Sequence, residues 1–177
     1  MADTQEPRSL YPDEQETWIA FAYLLVQLPG ALDMNMQRVS GIGLFEFQVL
    51  SALSLAPEHS TRLSKLADFT ASSLSRLSNV MTRLEERGWV RRTVDPEDGR
   101  CTLGVLTEAG AEQVAAVMPK HIAEVRRLVF DPLTNAQQQQ LRRIALRIMQ
   151  AVEPDKPPLT ERLRALGRSP FPEEKSP

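Results

Sequence analysis

The sequence predicts a mainly α-helical protein with one small β-hairpin, on three observations. Apolar residues recur at helical spacing through most of the stretch from Asp13 to Val152. A short helical segment is followed, after a tight turn, by a longer one, and two β-prone runs then flank a loop containing Pro96 and Gly99. A chain of 177 residues, 42% hydrophobic, can bury one good core, while a second would be cramped. The expected organisation is one domain over 13–152 followed by a Pro-rich tail over 153–177, where Pro154, Pro157, Pro158, Pro170, Pro172 and Pro177 fall.

The first helix is expected from Asp13 to Arg38, on the stripe Trp18, Ile19, Phe21, Ala22, Leu25, Leu28, Leu32 and Met36. Pro29 and Gly30 are expected to kink it rather than end it, because the apolar pattern resumes at Ala31. Gly41-Ile-Gly43 marks a break, a second helix covers Leu44 to Leu55, and Ala56-Pro-Glu-His59 closes it. Ser60 or Thr61 is placed to cap a short third helix through Asp68. A turn at Thr70 leads to a fourth helix from Ser72 to Arg87, stopped by Gly88, with Leu74, Leu77, Val80, Met81 and Leu84 as its packing side. Trp89–Val94 and Cys101–Leu106 form the hairpin around Asp95-Pro-Glu-Asp-Gly99. Thr107 caps a fifth helix from Glu108 to Phe130, interrupted by Pro119, and Thr134-Asn-Ala-Gln137 offers a capping box for a sixth helix to Val152. Two marginal helical turns are expected over 160–166.

Charge is distributed unevenly. The net charge is −2, yet residues 60–92 hold seven basic side chains against three acidic ones. A locally basic face on an acidic body suits a protein that touches a polyanion on one side. On the fourth helix, Ser72, Ser75, Arg76, Asn79, Thr82 and Arg83 project opposite the apolar side, with Ser73 at its start and no acid until Glu85 and Glu86. Guanidinium, amide and hydroxyl groups match base edges in a major groove, and Arg76 and Asn79 are the leading base readers. Arg91 and Arg92 follow as candidates for flanking phosphates, or as charges guarding a strand edge.

Asp98, Arg100, Leu106, Thr107 and Gly110, preceded by Leu74-Ser-Arg-Leu77, Arg83-Leu-Glu-Glu-Arg-Gly-Trp-Val-Arg91 and Asp95-Pro96, carry a family likeness. The chain resembles the MarR family of bacterial transcription regulators over 13–152, most tightly over 72–110. The resemblance implies a winged helix-turn-helix lobe over 42–106 and dimerisation helices over 13–38 and 107–152. It implies that Arg100 approaches the minor groove and that Asp98 shapes the wing by pairing with a nearby Arg. It also implies a second copy of the chain as partner, with Trp18, Leu25, Leu128, Phe130, Leu141, Ile144 and Ile148 as candidate interface residues. One recognition helix reads few base pairs, and two copies present a pair roughly 34 Å apart, so the operator in double-stranded DNA should be an imperfect palindrome. A small aromatic or phenolic effector is implied, with Trp18, Phe21, Ala22, Leu25, Phe45, Phe47 and Met118 on elements that can line its crevice. Gly104, Val105 and the tail depart from the family pattern.

Other functions find less support. A winged helix can also serve as a protein-interaction module, but such a module has no reason to align Arg76, Asn79, Arg83 and Arg100. No phosphate loop, nucleophile elbow or His-Glu-x-x-His motif is present, so neither an enzyme nor a cofactor is expected. His59 and His121 lack neighbouring ligands at metal spacing, so no metal is expected. Cys101, the single cysteine, reads first as a small strand residue, although its modification beside Arg100 would disturb the wing. With no signal-like start, and no stretch near the roughly 18 uninterrupted apolar residues needed to span a bilayer, a cytoplasmic protein without membrane contact is expected.

Overall fold

In the computed structural model, which describes residues 9–159 and 161–162, the chain runs α1 (Pro12–Ser40), α2 (Leu44–Leu55), β1 (Ser60–Arg62), α3 (Leu63–Phe69) and α4 (Leu74–Glu86). It continues with β2 (Val90–Val94), β3 (Thr102–Leu106), α5 (Glu108–Val125) and α6 (Asn135–Val152). Neither Pro29 nor Pro119 ends its helix: each removes one hydrogen-bond donor while the turns on both sides stay closed. α5 then widens into the turn Arg126–Phe130, closed by the Asp131 N–H on the Arg126 carbonyl at 2.8 Å. The capping box at Thr134 forms, with the Thr134 N–H donating to Gln137 Oε1 at 2.9 Å.

The expected two-stranded hairpin is an antiparallel three-stranded sheet in the order β1-β3-β2. Ser60 and Thr61 pair with Val105 and Gly104 instead of capping α3, whose N-cap is Arg62 without a side-chain bond. Three residues carry too little alternation to announce a strand; β1 exists because β3 offers a second open edge. Gly104 fits that central strand closely, since a Cβ there would sit 3.1 Å from both Leu63 and Met81 side chains. Gly110 is more constrained: a Cβ would overlap the Trp89 carbonyl oxygen, so the first turn of α5 can cross β2 only with no side chain.

The core lies in the winged lobe, where Ile42, Leu50, Leu53, Leu66, Leu77, Met81 and Leu84 are essentially inaccessible. Leu74, expected with them, is 58% exposed. It occupies the first helical position, one turn beyond the end of the core that its helical phase would otherwise reach. α6 buries no residue and α1 buries only Met36. Trp18, Ile19, Tyr23, Leu24, Leu25, Val26, Ile122, Phe130, Leu141, Ile144, Ile148 and Val152 consequently stand open in the single chain. An 18-residue window of α1 reaches mean hydropathy 1.2, so this helix is long and apolar enough to cross a membrane by length and composition alone, which corrects the expectation that no stretch would be. The tail helix expected over 160–166 lies largely outside the described residues. The tail's described part turns back on its own α3, where Lys156 Nζ meets Asp68 Oδ1 at 2.6 Å.

Candidate nucleic-acid interface

α4 is a short amphipathic helix whose start is fixed by its own sequence. Ser73 caps it, its Oγ accepting from the Arg76 N–H at 3.2 Å. The preceding turn is tied by Thr70, whose hydroxyl bonds the Leu66 carbonyl at 2.8 Å and lies 3.0 Å from the Ser72 hydroxyl. Ser72 and Ser73 therefore belong to the turn and cap rather than to the helix, while Ser75, Arg76, Asn79, Thr82 and Arg83 occupy exposed helical positions.

The nominated cations divide by what holds them. Arg92 is bound along its length: its backbone N–H and Nε donate to Glu85 at 2.7 Å each, and Nη2 donates to the Thr82 hydroxyl at 2.7 Å. The Arg92 guanidinium, then its backbone N–H, hold the Glu85 carboxyl below the usual carboxylate range. Thr82 and Arg92 thus lock β2 against α4. Arg83 Nε donates to Glu46 Oε1 at 3.0 Å, and Arg87 lies 3.7 Å from the other oxygen of the same buried carboxylate. Arg76 stacks over the Phe45 ring, 4.1 Å from its centroid. Arg91 is exposed on β2, and Arg100 is 91% exposed at the wing.

Asp98 does pair with an arginine, and that arginine is Arg100: its Nε donates to Asp98 Oδ1 at 3.0 Å and its backbone N–H at 3.2 Å. The Arg100 side chain is the main cause holding Asp98 below its ordinary pKa. A second acid, absent from the nominated residues, does more to anchor the wing. Asp95 is buried, accepts the Glu97 N–H at 2.9 Å and takes Arg62 Nε on its other oxygen at 2.6 Å. The Glu97 N–H and then Arg62 lower its pKa against the effect of burial. The Asp95-Pro96 step marks this turn in the sequence, but its partner on β1 could not be seen without the third strand. Glu46 was missed for a similar reason. Its place three residues after Gly43 signals a helix-start contact, and Oε2 does accept the Gly43 N–H at 3.2 Å, but its reach to α4 is tertiary.

An open cleft of about 650 Å³ lies between the end of α1, the start of α2 and α4, lined by Asp33, Gln37, Phe45, Glu46, Arg76, Asn79, Arg83 and Arg87. Of the residues nominated for a small ligand, Phe45 lines this cleft. Phe47 is in the core, its ring 5.0 Å from that of His121, and Met118 packs against the core edge. Phe21 and Ala22 are half-buried on α1, while Trp18 and Leu25 are exposed there. Among the described residues no cluster of three His, Cys, Asp or Glu side chains is gathered to hold a metal.

A capped amphipathic helix after a tight turn, braced against a three-stranded sheet whose hairpin projects an exposed arginine, defines a winged helix-turn-helix protein. The MarR family model matches residues 44–102. A MarR family transcriptional regulator from Streptomyces coelicolor, solved in complex with DNA, is 34% identical with TM-score 0.82, over 86% of this chain and 95% of that one. AbsC, a second regulator of that family from Streptomyces coelicolor, is 32% identical with TM-score 0.78, over 84% of this chain and all of its own. The transcriptional repressor IacR of Pseudomonas putida is 30% identical over 125 residues, which are 69% of this chain and 73% of IacR. The chain belongs to the MarR family of transcriptional regulators, which are not enzymes.

Proposed function

We propose that this regulator is a cytoplasmic homodimeric repressor that binds a pseudo-palindromic DNA operator and is released by a small molecule. The observation that carries the reading is the outward side of α4. Ser75, Arg76 and Asn79 stand exposed on it behind the Ser73 cap, while Glu46 and Glu85 are paired with Arg83 and Arg92 and the exposed Glu86 lies at the far end of the helix. Ser75, Arg76 and Asn79 meet base edges, and Ser72 and Ser73 meet a phosphate at the helix start. Arg91 neutralises a flanking phosphate, and Arg100, held at its root by Asp98, reaches the minor groove. Thr82, Arg83 and Arg92 serve by holding the frame, since each already has a protein partner. That a relative 34% identical was solved in complex with DNA supports DNA binding by this chain.

A second copy covers the apolar surface of α1, α5 and α6. Thirteen large apolar side chains open on three helices that flank one compact lobe far exceed what a monomer of this size leaves bare. The effector enters the cleft beside Phe45, where occupancy competes for Arg76 and Asn79. The test is selection of bound duplexes from a random pool by the purified full chain. Enriched inverted half-sites centred about one helical turn apart are expected. A pool without a preferred sequence at moderate ionic strength overturns the DNA reading, and a single chain in solution at micromolar concentration overturns the dimer. A chain that partitions into lipid vesicles through α1 would do the same.

A further inference from the structure

We propose that Leu74 is a specificity-determining residue that reads the C5 methyl group of one thymine in each half-site. The inference rests on the DNA reading above and extends it to a residue that the helical pattern assigns to the core. Leu74 is 58% exposed on a helix that buries Leu77, Val80, Met81 and Leu84. Within 44–106 just one other large apolar side chain among the described residues is as open, Val94 at 67% on the wing. The remaining open apolar groups lie on α1, α5, α6 and the segments beside them, so Leu74 is no part of the proposed dimer surface.

Its position fixes what can cover it. Leu74 is the first residue of α4, directly after the Ser73 cap. Side chains on a helix lean toward its N-terminus, so the isobutyl group extends past the start of α4. That is the end of a recognition helix that approaches base edges most closely. The same lobe exposes Arg76 two residues further along α4, Arg91 on β2 and Arg100 at the wing, a local excess of cations that favours a polyanion over an apolar protein or a neutral surface. Among the groups a major groove displays, the thymine methyl is the apolar one. Burying Leu74 against it removes both from water, and no polar atom of either partner loses a hydrogen bond.

The experiment uses the operator recovered by selection and replaces each half-site thymine in turn with deoxyuridine, which deletes one methyl and leaves the base pair intact. Affinities of wild type, Leu74→Ala and Leu74→Met are measured by fluorescence anisotropy. One thymine per half-site should lose about four-fold in wild-type affinity, and about sixteen-fold when both half-sites are changed, at about 0.8 kcal/mol per buried methyl. Leu74→Ala should show the loss already on thymine DNA and gain no further loss from uracil, while Leu74→Met keeps the discrimination. Specific binding in which no thymine is uracil-sensitive, or in which Leu74→Ala retains the full wild-type sensitivity, overturns the role of Leu74 and leaves the DNA reading standing. A pool with no preferred sequence overturns both.

Discussion

Replacing Glu46 with Ala tests whether the recognition helix is set by α2. Glu46 is buried on α2, accepts the Gly43 N–H at 3.2 Å, and faces Arg83 at 3.0 Å and Arg87 at 3.7 Å. The truncation removes a helix-start contact worth about 0.5–1 kcal/mol. It also removes the carboxylate from two arginines whose side chains are 52% and 39% exposed. Because water can take over those guanidinium groups, the pair contributes only about 1 kcal/mol rather than the several of a fully buried pair. The sum, about 2 kcal/mol, lowers the melting temperature by about 4–8 °C in a chain of this size. Thermal melts followed by circular dichroism at matched protein concentration give the value. Glu46→Gln, whose single amide oxygen can accept from the Gly43 N–H or from Arg83 but not from both, should lose less than Glu46→Ala while not restoring the wild-type melt. Operator affinity should fall more than affinity for random DNA, because α4 turns while its phosphate contacts persist. A Glu46→Ala melt within about 1 °C of wild type would refute the reasoning, since that is the behaviour of an unconnected surface residue.

Gly110→Ala forces a Cβ into the Trp89 carbonyl and should cost about 1–3 kcal/mol or more, read from urea melts; an unchanged midpoint would contradict the crossing geometry. Ala71 sits in the turn before α4 with φ of 48°, so Ala71→Gly should raise the melting temperature by about 1–4 °C, and a fall would count against that conformation. Burial lowers the pKa of His121, whose Nδ1 is buried without a hydrogen-bond partner among the described residues. Its contribution to stability is complete above the ordinary histidine pKa of about 6.5 and is lost as pH falls through the lower folded value. His121→Phe should therefore flatten the decline in melting temperature on acidification from about pH 7 to 5, and an identical slope would remove His121 as its source. Leu25→Glu combined with Ile144→Glu should convert the proposed dimer to single chains in sedimentation; an unchanged sedimentation coefficient would move the interface elsewhere.

Helical phase made most of the architecture legible. The stripe from Trp18 to Met36, the capping box at Thr134 and the Gly88 stop all reflect interactions within a few residues, where sequence and structure share one coordinate. What stayed hidden depends on partners far along the chain. Ser60–Arg62 becomes a strand because of Val105 and Leu103 more than forty residues away. Leu74 follows the core phase of its helix, yet it is 58% exposed, because burial depends on where the neighbouring elements end. The polar face of α4 could be read as a row of donors, but not how many were already engaged. Local pattern shows that Arg83 points away from the apolar side of α4, while only the fold shows Glu46 held against it.

The arrangement also explains how an apolar surface on α1 bears on a polar surface on α4. Asp33 of α1 accepts the Leu44 N–H at the start of α2 with Oδ1 at 2.6 Å and Gln37 Nε2 with Oδ2 at 2.6 Å. Arg87, just past the end of α4, reaches the Gly41 carbonyl at 3.5 Å, and Lys120 of α5 donates to the Val39 carbonyl at 3.2 Å. The end of α1 is thus joined to α2, α4 and α5 by short polar contacts rather than by a free loop. In the proposed dimer, the face of α1 that meets its partner and the end that holds α4 belong to one helix, so the packing of two chains sets the separation of two recognition helices. The open cleft lies on this same path, between Asp33, Glu46 and Arg76. In the proposed dimer, a molecule lodged there would need to unfold nothing to weaken DNA binding; a small rotation of α4 against its own α1 would misplace that subunit's reading head relative to the other, because each is held to its own α1 by the same few bonds.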